Sequence, residues 1–263
     1  MRCAGGNGRA RWPIARNCWR AKTWPKCAAC WPGCRPPAMT GCVSMAEVEV
    51  SCLIPSAGSG DRLGLGCKGF LELAGRPLLR WLADKGRRVA DEVVVAVPAD
   101  RLDEANALLP DCRVIVGGET RHDSVALLAR AARGDWLLLQ DAARPFSSIA
   151  LCAAVLARAR ETGCAGAFVD PEVPVARLRD GKVAAVLLRH EAGVFQSPQA
   201  FSRETMRRLL AHAQERGYRP QSTLQLAIDA GIEVAAVAGE KHNIKLTTPI
   251  DWRVATLLEE YLT

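Results

Sequence analysis

The chain has 263 residues, which is long enough to bury a substantial core in one large α/β domain, with or without an appendage. Its formal net charge is +7, but residues 1–44 hold eight Lys or Arg and no Asp or Glu, so the rest of the chain is nearly neutral. The total charge therefore does not indicate a nucleic-acid partner, and no apolar run approaches the roughly 20 residues of a membrane span. We expect a soluble, cytoplasmic protein that binds neither nucleic acid nor membrane.

The first 44 residues differ from the rest in composition. They hold six of the eleven cysteines and four of the seven tryptophans, without apolar periodicity, so they are not expected to form a core. We interpret residues 1–44 as a disordered or non-native extension, with Met45 as the natural start of the protein. Two alternatives remain open: a zinc site built on the cysteines between positions 27 and 42, and an Arg-rich arm that binds nucleic acid.

From residue 48 onward, short apolar runs alternate with helical patterns. The predicted strands are 48–54, 92–97, 113–116, 136–139 and 165–169, and the predicted helices between them are 77–89, 102–109, 124–132 and 149–159. Alternating strands and helices predict a parallel sheet, and near-continuous apolar strands such as residues 93–97 are typical of a sheet covered by helices on both faces. The predicted fold is a Rossmann-like, three-layer α/β sandwich with a mostly parallel, twisted sheet.

The pattern changes between Val175 and Arg189, where a hairpin is predicted with its turn at Asp180-Gly181. Such a hairpin is either an arm that pairs with a second copy or an ordinary edge hairpin. We place an arm at about residues 170–190, inside one domain of residues 45–263. A helix at 223–230, a strand at 232–237 and a final helix from Pro249 complete the prediction.

Ligands of open α/β sheets bind at the carboxyl ends of the strands, so the loops there are candidate sites. The first loop is Pro55-Ser56-Ala57-Gly58-Ser59-Gly60-Asp61-Arg62-Leu63, followed closely by Lys68. Small residues let backbone N–H groups approach a phosphate, and Arg62 and Lys68 would neutralise its charge. The loop lacks the Gly-Lys-Ser/Thr of a Walker motif and the third glycine of a dinucleotide fingerprint.

Two more loops follow later strands. The loop of residues 117–125 begins with a glycine pair that would let a base lie against backbone, and Ser124 would bind its edge; the alternative is a helix start capped by Asp123 or Ser124. The loop of residues 140–145 places Asp141 at a strand end, where Mg²⁺ would be held. The alternatives are that Asp141 caps a turn or that it pairs with Arg144.

Together these loops resemble the 2-C-methyl-D-erythritol 4-phosphate cytidylyltransferases of isoprenoid synthesis, from about Val50 to the C-terminus. The family patterns P-A-A-G-x-G-x-R-M with P-K-Q, G-G-x-x-R-x-x-S-V and H-D-A-A-R-P match the three loops. Two further patterns, R-x7-T-P-Q and N-I-K-x-T-x-P-x-D, match Arg189 with Ser197-Pro198-Gln199 and the segment 243–251. Several matches in order are more specific than one glycine loop.

The resemblance implies that an acceptor phosphate attacks the α-phosphorus of CTP and releases pyrophosphate, with Mg²⁺ as cofactor and a homodimer as the assembly. Catalysis would consist mainly of positioning and charge stabilisation. The implied catalytic cations are Arg62, Lys68, Arg189 and Lys245. The implied nucleotide-binding residues are Ser56, Ala57, Gly58, Ser59, Gly60, Gly118, Glu119, Arg121, Ser124, Ala142 and Arg144. The implied acceptor-binding residues are Asp141, Arg177 and Ser197, with Asp141 also the metal ligand.

Most departures from the family pattern fall at the acceptor end. The family's D-T-[IM]-K has no counterpart beyond residues 173–177, and its T-D-[DE]-[AS] is replaced by residues 221–224. Gly69 and Gln140 are milder changes near the nucleotide. We therefore expect a cytidylyltransferase that uses 2-C-methyl-D-erythritol 4-phosphate, the alternatives being another polyol phosphate such as ribitol 5-phosphate and a catalytically weak, nucleotide-binding paralogue.

A Rossmann-type oxidoreductase is the remaining alternative, and only Gly58-x-Gly60 after a strand supports it. No acid stands about 20 residues further on to hold a ribose, since that position is Arg80, and no Tyr-Lys or Cys-His catalytic set is evident.

Overall fold

The computed structural model describes residues 48–58, 63–64, 66–217, 220 and 222–262. The strands are β1 (Val50–Pro55), β2 (Glu72–Leu73), β3 (Arg76–Pro77), β4 (Glu92–Val97), β5 (Arg113–Val116), β6 (Trp136–Leu139), β7 (Cys164–Val169), β8 (Val175–Arg179), β9 (Lys182–Leu187), β10 (Val194–Ser202) and β11 (Ala235–Ala238). The helices are α1 (Leu78–Arg87), α2 (Leu102–Leu108), α3 (Arg121–Ala131), α4 (Ile149–Thr162), α5 (Arg203–Arg216), α6 (Thr223–Asp229) and α7 (Pro249–Leu257). The predicted extension and its cysteines lie outside the described residues.

Seven of these strands form one sheet in the order β11-β7-β10-β6-β1-β4-β5. All neighbouring pairs are parallel except those of β10, which runs antiparallel to both β6 and β7. From β1 the chain moves outward through β4 to β5, then returns to place β6 on the opposite side of β1. This reversal is a topological switch point, where a crevice opens at the carboxyl ends of the strands.

Helices cover both faces of the sheet. Alternate residues of β1 and β4 divide between two cores: Cys52, Ile54 and Val95 pack with α1, α2 and α4, while Leu53 and Val94 pack with α3, α5 and α6. Because both faces are covered, β4 is buried along its whole length. The predicted three-layer α/β sandwich with a mostly parallel sheet is therefore confirmed.

The sequence prediction omitted the two-residue strands β2 and β3 and two longer elements, β10 and α5. β10 is polar and contains Pro198, which argues against a central strand, and its register shifts between Phe195 and Gln199. The sequence does contain signals for helix α5. Ser202 is a typical N-cap residue, and the apolar residues of the helix recur at helical spacing. The strand predicted at 232–237 begins only at Ala235.

The predicted hairpin is present as β8 and β9, which form a separate two-stranded sheet. Asp180 and Gly181 at its turn both have positive φ, as a primed turn requires. Its apolar side chains are exposed: Leu178 retains 67 % of its accessible surface and Val183, its cross-strand partner, 66 %. We refer to β8, β9 and the residues that flank them, 170–190 in all, as the arm.

Among the described residues, no helix is both long enough and apolar enough to cross a membrane.

Candidate active site

A cleft of about 300 Å³ opens at the switch point, beside the carboxyl ends of β1 and β6. Three segments that follow sheet strands line it, together with Lys68 and one residue from the loop before α7. Its lining residues are Pro55, Ser56, Ala57, Gly58, Lys68, Gly118, Glu119, Thr120, Arg121, Ser124, Asp141, Ala142, Ala143 and Lys245. The fold thus brings eleven of the sequence-predicted site residues into one place.

Lys68 connects two of these segments. Its ammonium group donates a hydrogen bond to the carbonyl oxygen of Leu246, 2.8 Å away, and the N–H of Leu246 donates to the carbonyl of Ala143 at 2.8 Å. The lysine is therefore anchored at the cleft wall next to the segment that carries Lys245.

The glycine pair 117–118 has a packing role. A Cβ atom on Gly117 would lie 2.3 Å from the Cβ of Ala57, and one on Gly118 would lie 2.4 Å from the Cβ of Asp123. Contacts this short are not tolerated, so Gly117 is needed for its loop to meet the loop of Ala57, and Gly118 is needed for the chain to pass close to Asp123. Ser124 is buried, and its hydroxyl accepts from the Gly118 N–H at 3.1 Å and donates to the Thr120 carbonyl at 3.0 Å.

Helix α3 begins at the cleft, and Thr120 is its cap. The Thr120 hydroxyl accepts from the N–H of Asp123, and the Asp123 carboxylate accepts from the N–H of Thr120, which forms a capping box. The sequence alternative of a helix start at this loop is therefore correct, but the N-cap is Thr120 and not Asp123 or Ser124. The Thr-x-x-Asp spacing is a signal that could have identified Thr120. The N-terminus of this 11-residue helix favours a bound anion.

Asp141 lines the cleft and lies between two cations. Its Oδ1 accepts from Arg121 Nη2 at 2.6 Å and Nε at 3.0 Å, and its Oδ2 lies 3.3 Å from Lys245 Nζ. Burial acts to raise the pKa of Asp141, whose side chain is 13 % exposed, but Arg121 and Lys245 outweigh it and lower the pKa to about 2. The carboxylate is therefore ionised at neutral pH.

A second partner of Arg121 was not expected from the sequence. Its Nη1 donates to the hydroxyl of Thr223 in α6, 3.3 Å away. Thr223 stands where the family pattern has an acid, so the only carboxylate within hydrogen-bonding distance of Arg121 in the described part of the chain is that of Asp141.

Two predicted site residues lie behind the cleft. Ser197 is buried, and its hydroxyl accepts from the backbone N–H of Asp141 at 3.2 Å. Arg144 is also buried and donates to the carbonyls of Asn243 at 2.6 Å and Phe195 at 3.0 Å. Neither side chain lines the cleft. In this structure both hold the backbone that supports Asp141, which differs from the ligand contacts that the resemblance implies.

Asn243 and Asp251, the first and last residues of the segment that matches N-I-K-x-T-x-P-x-D, have structural roles. Asn243 is fully buried and donates to the Ser197 carbonyl at 2.8 Å, so it joins the Lys245 segment to β10. Asp251 completes the capping box of α7 with Thr248. Half of that pattern therefore starts a helix, and Lys245 is its member in the cleft.

The arm carries the remaining predicted residues away from this cleft. Arg177 is exposed on β8, and Arg189 is exposed just after β9, where it donates to the carbonyl of Glu172 at 3.0 Å. Neither residue lines the cleft. The predicted residues Ser59, Gly60 and Arg62 lie outside the described residues.

In the part of the chain that the structure describes, no three His, Cys, Asp or Glu side chains form a metal-binding group. Asp141 alone cannot complete a protein-only magnesium site. Magnesium is often bound by one or two carboxylates together with substrate phosphates, and an ionised Asp141 at a cleft of about 300 Å³ fits that type of site.

Comparisons with known proteins agree with this geometry. The family model described as 2-C-methyl-D-erythritol 4-phosphate cytidylyltransferase matches residues 50–261. Proteins with that name from Deinococcus radiodurans and Thermus thermophilus are 37 % and 38 % identical over 80 % of this chain, covering 89 % and 97 % of their own lengths. The crystal structure of the enzyme from Thermus thermophilus aligns with a TM-score of 0.69 at 34 % identity, over 81 % of this chain and 99 % of that one.

Proposed function

We propose a reaction for this chain from one premise: the chain belongs to the 2-C-methyl-D-erythritol 4-phosphate cytidylyltransferase family. The protein transfers a cytidylyl group from CTP to 2-C-methyl-D-erythritol 4-phosphate. An oxygen of the acceptor phosphate forms a bond to the α-phosphorus of CTP, and the bond from that phosphorus to the bridging oxygen breaks to release pyrophosphate. No residue of the chain needs to form a covalent intermediate.

The observation that carries this proposal is the concentration of cations at the cleft. Lys68, Arg121 and Lys245 line it together with the N-terminus of α3, against the carboxylates of Asp141 and Glu119. A triphosphate carries several negative charges, and negative charge shifts to the leaving pyrophosphate during transfer. Fixed cations and backbone N–H groups stabilise that charge without reorganising. We assign Lys68 and Lys245 to the phosphates and the small residues 56–58 to backbone contacts with them.

Magnesium is part of the proposal. Asp141 would hold the ion together with phosphate oxygens of the nucleotide, and the bound ion would neutralise charge on those oxygens. Because Arg121 and Lys245 already pair with Asp141, we expect Asp141 to hold Mg²⁺ only when the nucleotide brings phosphate ligands of its own.

The acceptor assignment is supported by the names of the relatives, since the acceptor end of this sequence departs from the family pattern. Thr223 replaces an acid of the family's T-D-[DE]-[AS], and residues 173–177 lack the family's D-T-[IM]-K. A cytidylyltransferase for another polyol phosphate is the second candidate, and these substitutions are the observation that favours it.

We also propose that the active assembly is a homodimer in which the arms pack together. Leu178, Val183 and Val186 on the arm are each about two-thirds exposed, and such a cluster of apolar side chains indicates an interface. A second copy of the chain would cover it and bring Arg189 near a cleft. We further propose a cytoplasmic location. The cysteines of the described residues are all free thiols, which fits a reducing compartment.

The test is pyrophosphate release by the purified protein with CTP and Mg²⁺. The acceptor panel is 2-C-methyl-D-erythritol 4-phosphate, ribitol 5-phosphate and glycerol 3-phosphate, with ATP replacing CTP as the nucleotide control. Turnover that is fastest with methylerythritol phosphate and CTP supports the proposal. Faster turnover with ribitol 5-phosphate would replace the acceptor, and CTP binding without turnover on any acceptor would indicate a weak paralogue.

A further inference from the structure

Lys85, on helix α1, is a buried lysine outside the cleft. It retains 7 % of its accessible surface. Its ammonium group donates three hydrogen bonds, to the carbonyl oxygens of Pro145 at 3.0 Å, Ser147 at 3.3 Å and Tyr261 at 3.2 Å. An ammonium has three donors, and each has a backbone acceptor here.

These acceptors belong to two different parts of the chain. Pro145 and Ser147 lie in the loop that follows β6 and contains Asp141. Tyr261 lies in the short 3-10 helix Glu259–Leu262 at the end of the chain. Lys85 therefore ties the loop that carries Asp141 to the C-terminal turn.

The C-terminal turn also contacts the segment that carries Lys245. The ring of Tyr261 stacks on that of His242, with 4.3 Å between their centroids. His242 lies three residues before Lys245, whose ammonium group lies 3.3 Å from the Asp141 carboxylate. The turn thus supports both segments that supply this charged pair.

Stability alone does not account for a charged residue at this position. Burial lowers the pKa of Lys85 to about 8, although Cys152 and Glu240 act in the opposite direction, so the ammonium form is disfavoured by its surroundings. Replacing a buried charge by an apolar side chain of similar volume is often neutral or stabilising. A methionine could fill the same space but could not hold three carbonyl groups.

We propose that Lys85 is a positioning residue for cytidylyl transfer, which fixes the Asp141 loop and docks the C-terminal turn against it. This inference rests on the proposed function. Lys85 reaches neither the nucleotide nor the acceptor, and it acts through the backbone of residues 145–147. Its loss displaces the Asp141–Lys245 pair, while residues 56–58 after β1, which Lys85 does not contact, stay in place.

The test is Lys85→Met in the full-length protein, with Arg87→Met as the matched control. Arg87 lies on the same helix and pairs with Asp84 near the surface. We expect Lys85→Met to lower kcat roughly 10- to 100-fold, as misplacement of groups at a reacting centre does, and to raise KM for CTP by a smaller factor, because residues 56–58 stay in place. Amide hydrogen exchange should rise together in residues 142–148 and 259–262 and stay unchanged in the control.

Lys85→Arg retains the charge and the donors, so it should retain more of kcat than Lys85→Met. An unchanged kcat in folded Lys85→Met, or faster exchange in only one of the two segments, would overturn the proposal. If Lys85→Met does not fold, Tyr261→Ala replaces it, and unchanged exchange in residues 142–148 would then overturn the proposal. Failure of the wild-type protein to turn over CTP would refute the proposed function and leave the exchange test intact.

Discussion

The cleft and the arm are built in opposite ways. Around the cleft, charged side chains are bound to other parts of the same chain: Asp141 to Arg121 and Lys245, and Lys68 to the Leu246 carbonyl. On the arm, apolar side chains such as Leu178 are exposed, and Arg189 makes a single hydrogen bond to backbone. One chain therefore forms the cleft that contains Asp141, and it leaves Arg177, predicted for the acceptor, and Arg189, predicted as a catalytic cation, outside that cleft.

This difference follows from how the two regions are supported. The cleft lies where parallel strands end, and the buried strands β1 and β6 fix its residues. The arm is a two-stranded ribbon, and an isolated hairpin is marginally stable without a partner surface. We expect changes in the cleft to affect CTP, and changes on the arm to affect the acceptor and the assembly.

The largest effect is expected for Lys68→Ala, which removes an anchored cation from the cleft. We expect kcat/KM for CTP to fall roughly 100- to 1000-fold, because a fixed donor facing the phosphates is lost. Arg158→Ala is the control, since Arg158 pairs with Glu161 on the surface of α4. Initial rates of pyrophosphate release measure both variants. Wild-type rates for Lys68→Ala would remove Lys68 from the phosphate site.

Arg189→Ala should separate the two substrates. We expect KM for the acceptor phosphate to rise about 10- to 100-fold, the effect of losing a charge-assisted hydrogen bond, while KM for CTP changes less than twofold. Arg179→Ala, at the far end of the arm, is the matched control. Steady-state kinetics with each substrate varied in turn give both constants. An equal rise in both would mean that the arm does not serve the acceptor alone.

Leu178→Asp should weaken the assembly about tenfold or more, since it places a charge in the proposed apolar interface. Sedimentation velocity over a range of protein concentrations measures the dimer dissociation constant, and calorimetry measures CTP binding, which should stay within about twofold of wild type. Arg179→Asp, on the neighbouring exposed position, is the control. A protein that remains equally dimeric would show that the arm is an ordinary edge hairpin.

The sequence predicted some strands of the sheet correctly and missed one. Strands β4, β5 and β6 were predicted with their observed bounds, because each is a short run rich in apolar residues between polar segments. β10 was missed because Pro198 and its glutamines look unlike a central strand, and because an antiparallel strand inserted between β6 and β7 leaves no local signal. Local composition reports burial of a strand, and it does not report which strands become neighbours.

For the site, the sequence correctly identified the loops that line the cleft, but it did not predict the contacts that individual residues of these loops make. Ser124 and Arg144 stand in matching patterns, yet the structure shows them bound to nearby backbone. The role of Lys85 could not be predicted, because its acceptors lie 60, 62 and 176 residues away in sequence. Side chains that hold a site together depend on contacts between distant segments, which spacing along one chain does not encode.

The smallest effect is expected for the pH dependence of the free energy of unfolding. It tests the cleft side of the comparison, because there Asp141 is paired with Arg121 and Lys245 of its own chain. Its pKa in the folded protein is about 2, below the ordinary value of 3.8. A carboxylate whose pKa is lower in the folded than in the unfolded protein stabilises the folded state at pH values above its unfolded-state pKa. For Asp141 this contribution is about 2 kcal/mol. It is constant above about pH 5 and is lost as the pH falls from 4 toward 2.

Urea unfolding of the wild type and Asp141→Asn from pH 8 to pH 3 measures this contribution. The difference in the free energy of unfolding between the two proteins should be flat from pH 8 to pH 5 and should shrink below pH 4. Asp251→Asn is a comparison variant, because backbone and hydroxyl donors rather than cations lower the pKa of Asp251. Added salt should therefore reduce the Asp141 contribution more than that of Asp251. A difference for Asp141 that changed between pH 7 and pH 5 would mean that Arg121 and Lys245 do not hold it ionised.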